Sequence, residues 1–86
     1  MYNLNRVDSK FNIAAHNMIT GEEHDSLDSV LFLARDRCFL KYALPAYIKG
    51  CKESKCSKEF MQRIRELRQR ITRYQKDNKL KVKIPD

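Results

Sequence analysis

Apolar positions along the second half of the chain recur at helical intervals. Phe60, Ile64, Leu67, Ile71 and Tyr74 are spaced four, three, four and three residues apart. This draws one stripe along a helix and makes a heptad seam against another helix, in this chain or in a second copy. Ser57 stands where an N-cap belongs, and Glu59 in the first turn suits the positive end of the helix dipole. Upstream, Asp36 is the expected N-cap of a second helix, in which Phe39, Tyr42, Ala43, Ala46 and Tyr47 recur at helical spacing and Gly50 lies near the end. Pro45 lacks a backbone donor and is expected to kink or divide that helix. Lys52 to Lys58 then turns the chain, giving an antiparallel helical hairpin.

The remaining patterns are weaker. Leu27, Val30, Leu31, Ala34 and Cys38 fit a helix, while the continuous run Val30–Leu33 equally fits a buried strand or an extended lead-in. Leu4, Val7, Phe11, Ala14 or Ala15, and Met18 follow three-four spacing and predict an N-terminal helix that stops at Thr20–Gly21. Thr20 and Glu23 have the spacing of a capping box. In the tail, Lys79, Lys81 and Lys83 alternate with Leu80, Val82 and Ile84, a period of two that predicts extended chain. The expected fold is therefore mostly α, a helical hairpin with a long basic C-terminal helix, with room for an additional N-terminal helix and short extended segments. One small domain covers residues 1–86, with 1–29 as a loosely attached segment and 78–86 as an extended basic tail.

Length and charge sharpen this picture. A chain of 86 residues buries only a little more than about 60% of the surface its unfolded form exposes. A deep cleft within one copy is not expected, and oligomerisation through the Phe60/Ile64/Leu67/Ile71/Tyr74 seam would add stability. Residues 1–36 carry three basic groups and six acids, whereas 37–86 carry fifteen basic groups and five acids, within an overall charge of +7. Such a division implies an anionic partner for the second half or a contact between the halves. Three cysteines, Cys38, Cys51 and Cys56, with no secretory segment and no apolar run longer than Val30–Ala34, fit a reduced, cytoplasmic protein with free thiols and no membrane partner.

The run "VLFLARD", an aromatic helix containing "LPAYIKGC", a basic helix and the ending "KVKIPD" together resemble a group of short phage-encoded proteins. That group has an F-x-L/K-x-A-x-D type run, a helical hairpin and a lysine- and proline-containing PD ending. The resemblance covers roughly Val30 to Asp86. Tyr74 replaces a tryptophan usual in the last helix, and the customary proline after Asn78 is absent. What the resemblance implies is phage origin, hence a bacterial host's cytoplasm, and an extended Val30–Leu33 leading to the Asp36 cap; it implies no established activity.

Catalytic chemistry is not expected. Gly21 and Gly50 stand alone, so there is no glycine-rich phosphate cradle, and no nucleophile elbow occurs. His16 and His24 lack an obvious orienting partner and read as surface histidines. Cys51 and Cys56 are separated by four residues, wider than the paired spacing of zinc modules, and Cys38 and Cys51 read as small core hydrophobes. No metal or other cofactor is expected.

The basic helix is the candidate site. Between Arg63 and Lys76 arginine outnumbers lysine five to one, and the guanidinium fork grips phosphate oxygens in two places where lysine acts as a point charge. Glu59–Arg63 and Glu66–Arg70 are spaced for i,i+4 pairs; Arg65, Arg68 and Lys76 have no acid at that spacing, and Arg73 has only Asp77. Arg63, Arg68 and Arg70 are expected to clamp phosphates beside the seam. Arg65, Arg73, Lys79, Lys81 and Lys83 supply a broader field, and Tyr47 and Tyr74 are stacking candidates. Three readings follow: a non-enzymatic protein that sequesters a nucleotide signal in an oligomer, which phage origin favours by analogy with the removal of host alarm molecules; a non-specific DNA- or RNA-binding protein; or a protein that blocks a host protein by direct contact. Alternatively, the arginines only solvate the helix and cover its seam with their stems.

Overall fold

A computed structural model describes residues 5–85 and divides the chain into two compact units, Met1–Phe32 and Leu33–Asp86. The first holds a two-stranded antiparallel sheet. Strand β1 (Ala14–His16) pairs with β2 (Glu23–Asp25) in the register Ala14–Asp25, Ala15–His24 and His16–Glu23. Asn17 and Gly21 make the turn: Asn17 Oδ1 accepts from the amides of Ile19 and Thr20, at 2.9 and 3.1 Å, and Gly21 adopts φ +80°, a conformation natural to glycine.

Two buried polar residues organise this unit. The Asp8 carboxylate accepts from the amides of Lys10, Phe11 and Leu31 at 2.8, 2.7 and 2.9 Å. The Ser26 hydroxyl donates to the Phe11 carbonyl and accepts from the Ile13 amide, both at 2.7 Å. The N-terminal helix expected from the apolar spacing does not form: Val7 and Met18 are 60% and 93% exposed, and Leu4 lies outside the described residues. The physical reason is local competition, since Asp8 and Asn17 offer nearby amides a side-chain acceptor in place of helical bonding. Nor does the Thr20–Glu23 capping box form. Thr20 Oγ1 accepts from the Glu22 amide at 3.2 Å, and Glu23 belongs to β2.

The second unit is helical. Asp36 caps the segment as expected, its Oδ1 accepting from the Phe39 amide at 3.0 Å. A π turn over Phe39–Ala43 then leads without interruption into helix α1 (Leu44–Glu53). Pro45 sits at the start of α1 instead of kinking a longer helix. The Leu44 amide reaches back to the Phe39 carbonyl, and this wider winding accommodates the proline, which has no amide to donate. The turn also shifts the buried face. Leu44 and Cys51 are buried, with Leu40 and Ile48 half-buried, whereas Tyr42, Ala43, Ala46 and Tyr47 of the expected stripe are exposed.

Helix α1 passes through Gly50 and ends in a Schellman turn: the Lys55 amide donates to Lys52 O and the Cys56 amide to Cys51 O, at 3.1 and 3.0 Å. Lys55 takes the left-handed position, φ 60°, that glycine usually occupies. Helix α2 (Lys58–Asp77) is 20 residues long, about 30 Å. Its Ser57 cap accepts from the Phe60 amide at 3.1 Å. Its seam packs against α1 and the π turn within the same chain, burying Met61 and Ile71 and half-burying Phe60, Ile64, Leu67 and Tyr74. Leu44, only 1% exposed, contributes about 1.5–3 kcal/mol by its burial.

Two further contacts complete the unit. Gln75 Nε2 donates to the carbonyls of Ala34 and Asp36, at 3.0 and 3.1 Å. The tail is not extended throughout: Asn78 caps α2 and Lys79–Lys81 form a 3-10 turn, so extended chain begins only at Val82. Lys83 then makes a parallel bridge beside Asp36, its amide donating to Arg35 O at 3.2 Å and its carbonyl accepting from the Arg37 amide at 3.1 Å. Asp86, at the end of the motif "KVKIPD", lies outside the described residues. Val30–Leu33 is neither helix nor strand. Among the described residues no helix is long and apolar enough to cross a membrane.

Candidate phosphate-binding surface

Helix α2 alternates one apolar flank with a long cationic one, so its winding decides which cations meet. Three open depressions follow one another along it. The first, about 350 Å³, is lined by Glu66, Gln69, Arg70 and Arg73. The second, about 460 Å³, is lined by Arg68, Gln69, Thr72, Arg73, Lys76 and Asp77. The third, about 480 Å³, continues over Lys76, Asn78, Lys79 and Lys81. Shared residues join them: Gln69 and Arg73 between the first and second, Lys76 and Asp77 between the second and third. The result is a furrow, notched by those shared side chains, that winds around α2 from its middle onto the 3-10 turn.

The furrow brings together Arg68, Arg70, Arg73, Lys79 and Lys81 of the expected set and adds Lys76; Arg63 and Arg65 line none of these three depressions. Arg68 and Arg70, two residues apart, are about 200° apart around the helix axis, so one copy cannot close both on a single phosphate. Arg63 and Arg70 share a flank, and a clamp of Arg63, Arg68 and Arg70 therefore needs two copies. Lys83 stands apart, where its backbone bridge sets it beside Arg35 and Arg37. Those two arginines escaped the sequence reading because nothing local signals a pairing across the whole unit.

Among the described residues the α2 arginines form no ion pair. The expected Glu59–Arg63 and Glu66–Arg70 pairs are open, and Glu66 accepts instead from Gln62 Nε2 at 2.9 Å. Exposed pairs of this kind contribute little, so an amide neighbour displaces them readily. Within the furrow, the Thr72 hydroxyl donates to the Arg68 carbonyl at 2.8 Å and so turns toward the backbone. Neither stacking candidate lines the furrow: Tyr74 is half-buried in the seam, and Tyr47 lines a different depression with Cys51 and Cys56.

The histidines of the first unit do have partners, contrary to the sequence expectation. His16 Nδ1 meets Glu23 Oε1 across the strands at 2.6 Å. His24 is flanked by Asp28 Oδ2 at 2.7 Å and Glu22 Oε1 at 3.2 Å. The Asp28 hydrogen bond raises the His24 pKa above its ordinary value, and the same bond lowers that of Asp28. Ser29 Oγ donates to Asp28 Oδ1 at 2.8 Å. Among the described residues no group of three His, Cys, Asp or Glu is placed to hold a metal ion.

No protein-family model, no curated protein and no solved structure matches the chain. The functional reading therefore rests on the furrow itself.

Proposed function

We propose that the protein binds nucleic acid through its phosphate backbone, without reading sequence, along the α2 furrow. The observation that carries this is the excess of cations along the furrow, Arg68, Arg70, Arg73, Lys76, Lys79 and Lys81 against the two carboxylates Glu66 and Asp77, with no ion pair among these described residues. From Arg68 to Lys76 the helix rises about 12 Å, enough to meet successive phosphates, and Lys79 and Lys81 extend the line onto the next turn. An open furrow of this length suits a chain of anions better than one enclosed ligand. Arginine supplies the forked contacts and lysine the general field. No aromatic ring lies in the furrow to stack a base, which favours backbone contact over base contact.

A second reading, a nucleotide sequestered without chemical change between two copies, is supported by the half-exposed seam residues Phe60, Ile64, Leu67 and Tyr74. A second copy covering them would bring Arg68 of one helix toward Arg70 of the other. The resemblance to short phage-encoded proteins gives that reading a role in removing a host signal.

One pair of measurements separates the readings. The protein, purified from cells at moderate salt and denatured, is assayed by mass spectrometry for what it releases. Its affinity for a labelled single-stranded oligonucleotide is then measured against salt. Backbone binding predicts heterogeneous polymer that washes away with salt and a steep salt slope. Arg68→Glu with Arg73→Glu should reduce affinity more than about tenfold with helix content unchanged. A discrete nucleotide at a fixed ratio to protein would support sequestration. Undiminished oligonucleotide affinity in the double variant would sink the furrow as the site.

A further inference from the structure

The end of α1 places two thiols together that the phosphate furrow does not use. In a Schellman turn the third residue from the helix end and the second residue beyond its cap fold back on each other, and the pair is commonly apolar. Here those positions are Cys51 and Cys56. The Cys56 amide donates to the Cys51 carbonyl at 3.0 Å, and Lys55 turns the chain through φ 60° between them. Tyr47, one helical turn back from Cys51, lines the same depression as both cysteines.

Access differs between the two. Cys51 is buried at 7% exposure, and Cys56 is exposed. Both line an open depression of about 470 Å³ with Ala46, Tyr47, Gly50 and Ser54. Partial desolvation and the neighbouring Cys51 thiol push the Cys56 thiol above its ordinary value, which slows its oxidation at neutral pH but leaves the pairing geometry intact. The amide-to-carbonyl bond between the two residues draws their backbones together, as a disulfide, which spans about 4.4–6.8 Å between Cα atoms, requires.

We propose that Cys51 and Cys56 form a reversible intramolecular disulfide that closes the α1–α2 connection, with a peroxide as the oxidant. The Cys56 thiolate attacks one oxygen of hydrogen peroxide, the O–O bond breaks, and Cys56 becomes a sulfenic acid as hydroxide leaves and takes a proton to become water. The Cys51 sulfur then attacks the sulfenic sulfur, the S–O bond breaks, and a second water departs. Two thiols and one peroxide yield one disulfide and two waters, and a dithiol reductant reverses the step.

Mass spectrometry of the protein after treatment with hydrogen peroxide tests this. Oxidation should remove two hydrogens, and peptide mapping under non-reducing conditions should join Cys51 to Cys56. Dithiothreitol should restore both thiols to alkylation in denaturant, and Cys38 should alkylate throughout. Cys56→Ser, at an exposed position, should abolish the loss of two hydrogens from the monomer. Cys38→Ser should leave the cross-link unchanged. A cross-link from Cys38, or two thiols that alkylate as fully after peroxide as before it, would overturn the proposal.

Discussion

The Asp8 carboxylate and the Leu31 amide meet at 2.9 Å, although 23 residues separate them in the chain. The same carboxylate holds the amides of Lys10 and Phe11, so one side chain fixes both ends of the first unit around the β-hairpin. These amide bonds, Phe11 first, hold the Asp8 pKa below its ordinary 3.8. A depressed folded-state pKa gives stability that is fully present above the unfolded value and is lost as pH falls through the folded one. Acidification below 3.8 is therefore expected to loosen this unit. Asp8→Ala should do so at neutral pH, and hydrogen exchange should show protection lost together at Lys10, Phe11 and Leu31.

His24 carries the opposite sign. Its pKa is raised above 6.5, chiefly by the Asp28 bond, so its contribution is present below that value and fades as pH rises through the folded one. Titration followed by NMR should place the His24 midpoint above 6.5. In Asp28→Asn the midpoint should move down toward the ordinary value. An unmoved midpoint would mean that the pair does not persist in solution.

Lys55 holds a left-handed conformation without being glycine. That conformation costs a non-glycine residue about 1–2 kcal/mol. Lys55→Gly should relieve part of it, offset by the greater freedom of glycine in the unfolded chain, for a net gain of about 0.5–1 kcal/mol. Thermal or urea unfolding of the second unit would show it.

Gln75 ties Ala34 and Asp36 to α2 through one amide group. Gln75→Ala removes both bonds, leaving the Ala34 carbonyl to find water and the Asp36 carbonyl with the Leu40 amide alone, a loss of about 1–2 kcal/mol. Leu44→Ala, in the buried core, should cost more, about 2–5 kcal/mol. If denaturant midpoints showed Gln75→Ala to be the more damaging, the polar tie would outrank the core in this small unit.

Helix α2 was legible in the sequence because three signals agree: a four-three stripe, the Ser57 cap and Glu59 in the first turn. The Asp36 cap was legible for the same local reason. The β-hairpin was not, since its strands are short and the residues buried beside it are Asp8 and Ser26, which no hydrophobic pattern reveals. Val7, Phe11 and Met18 only happen to share helical spacing. In α1 the aromatic residues suggested a stripe, but Leu44 and Cys51 are the positions that are buried. Of the candidate surface, the cations could be read directly. Their grouping could not, because Arg73 and Lys76 join Arg68 only once the helix is wound, and Lys83 meets Arg35 only through the bridge.

The π turn over Phe39–Ala43 has a consequence for how the chain tolerates changes in length. Across it the Leu44 amide bonds the Phe39 carbonyl, one residue further back than in an α-helix. Each extra residue in ordinary winding turns everything after it by about 100°. Loss of a residue here would be taken up by rewinding the π turn as α only if Pro45, which has no amide to donate, were replaced as well. The same loss inside α1 would swing Cys51 away from the core. The segment is thus an expansion joint that the proline holds open: it stores one residue more than α winding needs and can give it up only together with Pro45.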